Sequence, residues 1–239
     1  MKTGHKVVVG MVNDGSINSD TVVDLMQILK NRPQFESFIQ VSNIGLLTRS
    51  RNVLIKNFLE QTDAEWLLMF DADQRLTLNA WDLLIQTAHD KERPVVSGLV
   101  FAAFFNDDKS LRPVPTIYRM IESGLQAIDD YPVDEVIEID AMGTGCILIH
   151  RDILLEMQKN ATENQGPNWA WFVDGAIGGT WFGEDLLFSK RLKSLGVKLH
   201  AHTGAICAHH KKFWLDQRHH KIFRDAAIES KILEVKQEG

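Results

Sequence analysis

The segment WLLMFDAD, from Trp66 to Asp73, constrains the fold more than any other part of the chain. Its five consecutive apolar residues leave no room for helical periodicity, so they predict a strand buried on both faces of a mostly parallel sheet. Asp71 and Asp73 follow at the carboxyl end of this strand, the edge of an open α/β sheet where ligands bind. They could hold a hard cation and a phosphate-bearing ligand, or they could simply close the strand in an Asp-rich turn.

Strands and helices alternate through the amino-terminal part of the chain. We predict strands over 6–12, 38–41, 66–70 and 94–100, and helices over 21–31, 49–61 and 77–89. This order requires right-handed βαβ crossovers, and it predicts an α/β fold with a mostly parallel sheet flanked by helices. In the first helix, the spacing of apolar residues predicts a buried stripe of Val22, Leu25, Met26 and Leu29.

The alternation is lost from Phe101 to about Glu138, where we predict irregular chain and short strands of the kind that shape a pocket. Two short strands hinged at Gly143 and Gly145 follow over 137–149. These glycines would let the backbone pass close to a ligand or to a neighbouring strand. The Gly- and Trp-rich segment 164–183, which includes Trp181, could form a lid, a stacking surface for a sugar or base, or a cover for the sheet edge.

Composition excludes some classes of protein. A formal net charge of −6 argues against a generally basic nucleic-acid binder, although it allows a local basic patch. We expect no leader of signal-peptide type, and the sequence contains no apolar run long enough to span a membrane. Cys146 and Cys207 form no CxxC pair, and we predict that they are buried thiols in a reducing compartment. We therefore expect a cytoplasmic protein without a membrane span.

Basic residues stand at the start of the helix predicted over 49–61. Arg49, Arg51 and Asn52 fall in its first turn, where positive charge opposes the helix dipole. Local conflicts of this kind are commoner at functional sites. An anion bound at the helix start would resolve the conflict, because N–H groups and arginine forks both favour phosphate. The alternative is a solvated arginine pair.

Five segments, taken in order, resemble the inverting glycosyltransferases of the family 2 type. They are RNVL at 51–54, WLLMFDAD at 66–73, DAMGTGC at 140–146, GEDLLF at 183–188 and CAH at 207–209. The resemblance covers roughly Lys6 to His210, and it implies the GT-A fold, a Rossmann-like α/β arrangement around a mixed, mostly parallel sheet. We accordingly expect one domain over 1–215 and a helical extension over 216–239 that packs on it.

The resemblance implies metal-dependent transfer of a sugar from a nucleotide-sugar donor, UDP- or GDP-linked, to a hydroxyl acceptor. Asp73 would bind Mn²⁺ (or Mg²⁺), Asp71 would contact the ribose or the metal, and His209 would be a further ligand, with His210 as its rival. A divalent cation stabilises the charge that develops on a leaving diphosphate. Imidazole beside carboxylate suits Mn²⁺ better than Ca²⁺.

The same resemblance assigns the remaining site residues. Asp185 would be the general base and Glu184 an acceptor ligand, although a carboxylate in a first helical turn could equally complement the dipole. The predicted substrate site is completed by Arg51, by the loop of Asn13 and Asp14, by the turn of Gly143, Thr144 and Gly145, and by Trp181. Inversion is expected, but fold relatives with a similar Glu-Asp segment retain configuration.

Other functions remain open from the sequence. The same nucleotide and metal chemistry would suit a nucleotidyltransferase or a sugar-nucleotide hydrolase, and a catalytically silent nucleotide- or glycan-binding module is a third possibility. A processive polymer synthase is disfavoured, because no Gln-x-x-Arg-Trp segment follows Asp185. The acceptor could be a glycan, or a modified nucleobase on DNA if the basic and aromatic cluster at 209–214 and 218–221 binds nucleic acid rather than forming a solvated helix face.

Overall fold

The computed structural model describes residues 5–42, 45–106, 111–122, 124–161, 167–212, 217 and 221. Its strands are β1 Val7–Asn13, β2 Phe35–Ser42, β3 Trp66–Asp71, β4 Val95–Phe105, β5 Leu111–Pro115, β6 Ile117–Ile121, β7 Gly124–Ala127, β8 Val136–Ile139, β9 Ala141–Met142, β10 Cys146–His150, β11 Gly175–Ile177, β12 Thr180–Phe182 and β13 Leu199–Cys207. Its helices are α1 Ser19–Asn31, α2 Leu47–Gln61, α3 Leu78–Thr87, α4 Arg151–Lys159 and α5 Glu184–Ser194.

The main sheet has the strand order β2-β1-β3-β10-β4-β13-β8, with β5 paired to β4. β1 is parallel to β2 and β3, and β13 is parallel to β4. β10 runs antiparallel to both β3 and β4, and β8 runs antiparallel to β13. The predicted α/β fold with a mixed, mostly parallel sheet is confirmed. Because β10 is reversed, its first residue lies at the same edge of the sheet as the carboxyl ends of β1, β3 and β13.

β3 is buried on both faces, as predicted. Leu67 and Met69 pack in one apolar cluster with Leu54 and Phe58 of α2, and they are at most 2% exposed. Trp66, Leu68 and Phe70 pack in a second cluster, with Ile28 of α1 and Trp81 of α3. Successive side chains of a strand point to opposite faces, so a continuous apolar run serves both layers of helices.

α1 buries a different face from the one predicted. Val22, Met26 and Leu29 are 40%, 63% and 61% exposed, and the buried residues are Thr21, Asp24 and Ile28. The Asp24 carboxylate accepts hydrogen bonds from Arg75 Nε at 2.6 Å and from Arg75 Nη2 at 2.9 Å. Buried charge is tolerated when it is paired in this way. Leu25, the fourth residue of the predicted stripe, is partly buried beside Ile28, so the face that α1 buries combines apolar side chains with the Asp24–Arg75 pair.

α2 begins earlier than predicted, at Leu47. Arg51 and Asn52 consequently lie in its second turn, where they are only 3% and 4% exposed. The interpretation of Arg51 as a solvated cation in the first turn is therefore wrong. Other boundaries agree better: Thr77 caps α3 by accepting a hydrogen bond from Ala80 N at 3.2 Å.

The region over 101–138, predicted as irregular chain and short strands, contains the short strands β5, β6 and β7, and β8 begins at its end. β4 continues to Phe105, and β6 pairs with β7 and β9 in a separate three-stranded sheet. β11 and β12 form a two-stranded hairpin with Gly178 and Gly179 at its turn, where both residues have positive φ (+59° and +83°). Glycine adopts this backbone conformation without steric cost.

Cys146 and Cys207 are buried and unbridged, and their Sγ atoms lie 3.0 Å apart. They meet beside Gly98 of β4, where an added Cβ would lie 2.9 Å from Cys207 Sγ. The contact with Cys207, together with burial, raises the pKa of the Cys146 thiol well above its ordinary value. Cys146 is therefore a neutral thiol packed in the core.

The chain divides into two compact units, Met1–Ala102 with Pro115–His210, and Ala103–Val114 with Lys211–Gly239. The first contains all five helices of the described residues. The predicted extension over 216–239 lies outside the described residues, apart from positions 217 and 221, and stays a prediction. No helix in the described part of the chain is long and apolar enough to cross a membrane.

Candidate active site

The turn that carries Asp71 and Asp73 is fixed by backbone hydrogen bonds from three other parts of the fold. They are Asn18 N to Ala72 O at 3.0 Å, Arg75 N to Ala208 O at 2.8 Å, His210 N to Asp73 O at 2.7 Å and Asp71 N to Gly145 O at 2.9 Å. The start of α1, the start of β10 and the segment after β13 thus converge on this turn. The main chain that carries the two carboxylates is therefore held by the fold itself.

Asp73 faces His209 at this edge of the sheet. His209 Nε2 lies 3.1 Å from Asp73 Oδ2, and His209 Nδ1 lies 2.9 Å from the carbonyl oxygen of Phe101. A carbonyl oxygen only accepts, so Nδ1 donates and the neutral imidazole presents the Nε2 lone pair to the carboxylate. The contact therefore needs a proton on Nε2 or on the Asp73 carboxyl group, or a metal ion that both groups bind. His210, the rival ligand, meets Asp73 through its backbone N–H.

Arg51 joins the end of β3, which carries Asp71, to the start of α5, which carries Glu184. Its Nη1 donates to Glu184 Oε1 at 2.5 Å, and its Nη2 lies 3.4 Å from both carboxylate oxygens of Asp71. The guanidinium carbon lies 5.5 Å from the centre of the Phe172 ring, a cation–π arrangement. The anions that balance this buried cation are therefore two carboxylates of the protein itself, one at the end of β3 and one at the start of α5.

Asp185 follows Glu184 in the first turn of α5. Burial raises the pKa of its carboxyl group and the charge of Glu184 raises it further, against the lowering effects of the Leu186 N–H and of Arg51. The Leu186 N–H donates to Asp185 Oδ1 at 2.7 Å. A carboxylate whose pKa lies nearer neutrality accepts a proton more readily, so this site suits a general base. Burial likewise raises the pKa of Asp71, although Arg51 opposes the shift.

The glycine turn before β10 lies directly beside Asp71. Gly143 N donates to Thr116 O at 2.7 Å. Gly145 packs against Asp71 and against the side chain of Gln74. Within the described residues, Gln74 Oε1 and the Thr144 hydroxyl are buried without a hydrogen-bond partner. Gln74 is 1% exposed and is a site residue that the sequence did not identify. The sequence offered one signal that Gln74 belongs to the site, its position directly after Asp73.

Alanine at Gly145 is expected to displace Gln74 and disturb Asp71. An added Cβ would overlap the Gln74 amide nitrogen and would lie 3.1 Å from Asp71 Oδ2. Overpacking of this kind costs about 1–3 kcal/mol of stability. We therefore expect a lower melting temperature than in the wild type, and a larger loss of activity than in the Gly175→Ala control. Gly175→Ala is the control, because a Cβ there meets no heavy atom within 4 Å. Equal melting temperatures and equal activities for the two variants would contradict the assignment.

The remaining predicted site residues fall into two places. Asn13 and Asp14 lie at the carboxyl end of β1, in a loop where Asn13 Oδ1 accepts from Gly15 N at 2.9 Å and Asp14 Oδ1 accepts from the Ser16 hydroxyl at 2.9 Å. Trp181 lies on β12 and is 68% exposed, so it does not cover the sheet edge. Five of the ten residues in the basic and aromatic cluster predicted at 209–214 and 218–221 lie outside the described residues, namely 213, 214 and 218–220.

Solved structures share this fold. A197 from STIV matches with a TM-score of 0.54 and 17% sequence identity, over 87% of this chain and 86% of A197. GalNAc-T7, crystallised with UDP, GalNAc and Mn²⁺, matches with a TM-score of 0.56 and 13% identity, over 87% of this chain and 43% of that chain. No family model matches the sequence, and the search of curated proteins found no match. At these identities the likeness is one of fold, and the chain has the predicted GT-A type of α/β fold.

Proposed function

We propose that this protein is a metal-dependent glycosyltransferase of the family 2 type, which transfers a sugar from a UDP- or GDP-sugar to a hydroxyl acceptor. The observation that carries the proposal is the opposition of Asp73 Oδ2 and His209 Nε2 at 3.1 Å, at the same sheet edge as the Arg51-linked Glu184 and Asp185. The similar fold of GalNAc-T7, which was crystallised with UDP, GalNAc and Mn²⁺, supports a nucleotide-sugar donor.

Asp73 and His209 are the residues that would hold a divalent cation. Among the described residues no group of three or more His, Cys, Asp or Glu side chains is arranged to hold a metal. Two protein ligands nevertheless fit an ion that shares its coordination with substrate phosphates and water, as Mg²⁺ commonly does and as Mn²⁺ with similar ligands can. The Nδ1 bond to Phe101 O orients the imidazole for this role. When bound, the cation would neutralise charge on the diphosphate.

Asp185 is the proposed general base. Its carboxylate takes the proton of the acceptor hydroxyl as that oxygen forms a bond to the anomeric carbon of the donor sugar. The bond from this carbon to the diphosphate oxygen breaks, and the nucleoside diphosphate leaves with the electron pair. Direct attack from the opposite face inverts the anomeric configuration. The raised pKa of Asp185 makes proton transfer to it more favourable.

The other residues would bind the substrates. Asn13 and Asp14, at the end of β1, would contact the base or ribose. Asp71 would contact the ribose from the turn that it shares with Asp73, which we call the metal turn. Glu184, the Gly143–Gly145 turn and exposed Trp181 would contact the acceptor. Arg51 is held by Glu184 and Asp71, so we assign it to ordering these two carboxylates more than to binding the nucleotide.

A thermal-shift screen of UDP- and GDP-sugars with and without MnCl₂ tests the proposal. A donor at a hundred times its Kd adds about 2.7 kcal/mol of stability, which raises the melting temperature of a chain of this size by roughly 5–10 °C. We expect this shift with one nucleotide sugar, and only with the metal. Product analysis follows: transfer to a hydroxyl supports the proposal, whereas release of pyrophosphate, donor hydrolysis alone, or binding without turnover across an acceptor panel would each contradict it.

A further inference from the structure

An exposed segment, residues 173–183, stands immediately before the proposed catalytic carboxylates. It contains the β11–β12 hairpin, and none of its residues is buried. A two-stranded hairpin has little stability of its own in water. The position of this segment, and of Glu184 and Asp185 at its end, therefore depends on how its two stems are held.

The first stem, at Phe172, is held by Asn52. Asn52 Nδ2 donates to Phe172 O at 2.8 Å, and Phe172 N donates to Asn52 Oδ1 at 2.8 Å. The side-chain amide thus satisfies both backbone groups of Phe172, as a neighbouring strand would. Asn52 is 4% exposed and Phe172 is fully buried, so both bonds are shielded from water. The Phe172 ring stacks on Phe188 of α5, with centroids 4.2 Å apart and planes 13° apart.

The second stem, at Glu184, is held by Arg51, the residue of α2 that directly precedes Asn52. Arg51 Nη1 bonds Glu184 at 2.5 Å, and the Arg51 guanidinium also lies over the Phe172 ring. Adjacent residues of α2 therefore hold the two ends of segment 173–183. The clamp formed by Arg51 and Asn52 fixes the separation of the stems, and with it the position of the first turn of α5.

We propose that Asn52 is a positioning residue for Glu184 and Asp185, the carboxylates assigned to the acceptor. The effect on catalysis rests on the proposed glycosyl transfer. By fixing Phe172, Asn52 fixes the stem of the hairpin and the approach of Asp185 to the acceptor hydroxyl. It has no part in the metal turn, because its hydrogen bonds go to Phe172. Loss of the amide should therefore affect transfer without affecting binding of the nucleotide and metal.

The test compares the full-length protein with Asn52→Ala and with Asn57→Ala, the same substitution at a half-buried position of the same helix. Hydrogen exchange by mass spectrometry follows the amides of 175–182 and of β3. Calorimetry measures the Kd of UDP with MnCl₂, and steady-state assays give kcat and KM for transfer. For Asn52→Ala we expect faster exchange in 175–182 alone, an unchanged Kd, and a kcat lower by roughly tenfold to a hundredfold. Asn57→Ala should match the wild type.

Asn52→Asp provides a second variant, which keeps an acceptor for Phe172 N–H but sets a carboxylate oxygen against the carbonyl oxygen of Phe172 in a buried position. Because two acceptors then face each other, this variant should speed exchange in 175–182 and lower kcat at least as much as Asn52→Ala. Unchanged exchange in 175–182, or a Kd for UDP that weakens in proportion to kcat, would overturn the positioning role. If the wild type transfers no sugar, the proposed function fails, and the exchange measurement, which needs no substrate, still decides whether Asn52 holds the hairpin.

Discussion

Asparagine in place of Asp185 is expected to lower kcat for sugar transfer by about 10²- to 10⁴-fold, the usual contribution of a positioned general base. The substitution keeps the shape of the side chain and removes the carboxylate proposed to take a proton from the acceptor hydroxyl. Binding of UDP with Mn²⁺ should be unchanged, because the metal turn is held by other bonds. Steady-state kinetics and calorimetry measure the two effects, and full turnover by the variant would rule out Asp185 as the base.

The same variant should be more stable than the wild type at neutral pH. The pKa of Asp185 is raised in the folded protein, above the value of about 3.9 in the unfolded chain. Ionised Asp185 therefore destabilises the fold above the folded-state pKa, and this cost disappears as the pH falls through the folded-state pKa toward the unfolded value. We expect Asp185→Asn to raise the melting temperature at pH 7 and to match the wild type below about pH 4.

Asp152→Asn is the matched control for Asp185→Asn. Asp152 also lies in the first turn of a helix, α4, and its side chain is 79% exposed. It shares the favourable interaction with the helix dipole but not the burial. Transfer activity should be unaffected, and no gain in stability should appear at neutral pH. A similar gain in stability for both variants would mean that burial of Asp185 is not its cause.

Alanine in place of Asp73 is expected to abolish the stimulation of transfer by Mn²⁺ and to lower the rate by about 10²-fold or more, since metal stabilisation of a leaving group contributes several kcal/mol. The carboxylate that faces His209 Nε2 would be lost, and the imidazole by itself is a weak site. Activity measured against MnCl₂ concentration tests this. The fold should persist, because Asp73 binds His210 through its backbone oxygen.

Asp90→Asn is the control for Asp73→Ala, because Asp90 also pairs with a histidine. His89 Nδ1 lies 3.3 Å from Asp90 Oδ1, but both side chains are more than 40% exposed and lie outside the proposed site. Its response to MnCl₂ should be that of the wild type. A wild-type metal response in Asp73→Ala would remove Asp73 from the metal site, and an altered response in both variants would indicate a nonspecific effect of carboxylate loss.

Local chemistry made the framework of this fold predictable. The apolar run before Asp71 requires a strand buried on both faces, and alternation with amphipathic helices requires parallel neighbours. Thr77 marks the start of α3 because its side chain accepts a hydrogen bond at the helix start. The ordered motifs around Asp73, Asp185 and His209 could also be recognised, because each follows a strand or opens a helix. Asp73 and His209 follow parallel strands of the main sheet, whereas the start of α5 is brought to that edge by the bond between Glu184 and Arg51.

Long-range polar pairing decided the rest. The face that α1 buries depends on the bond of Asp24 to Arg75, and the state of Arg51 depends on Glu184, far along the chain. The reversal of β10 brings Gly145 against Gln74 and Asp71, and the amide of Asn52 replaces a strand for Phe172. Apolar burial repeats with the period of a helix or strand, so the sequence by itself determined it in β3, but not in α1, where the predicted Val22, Met26 and Leu29 are exposed. A buried polar group is stable only with its partner, and the tertiary structure alone brings that partner to it.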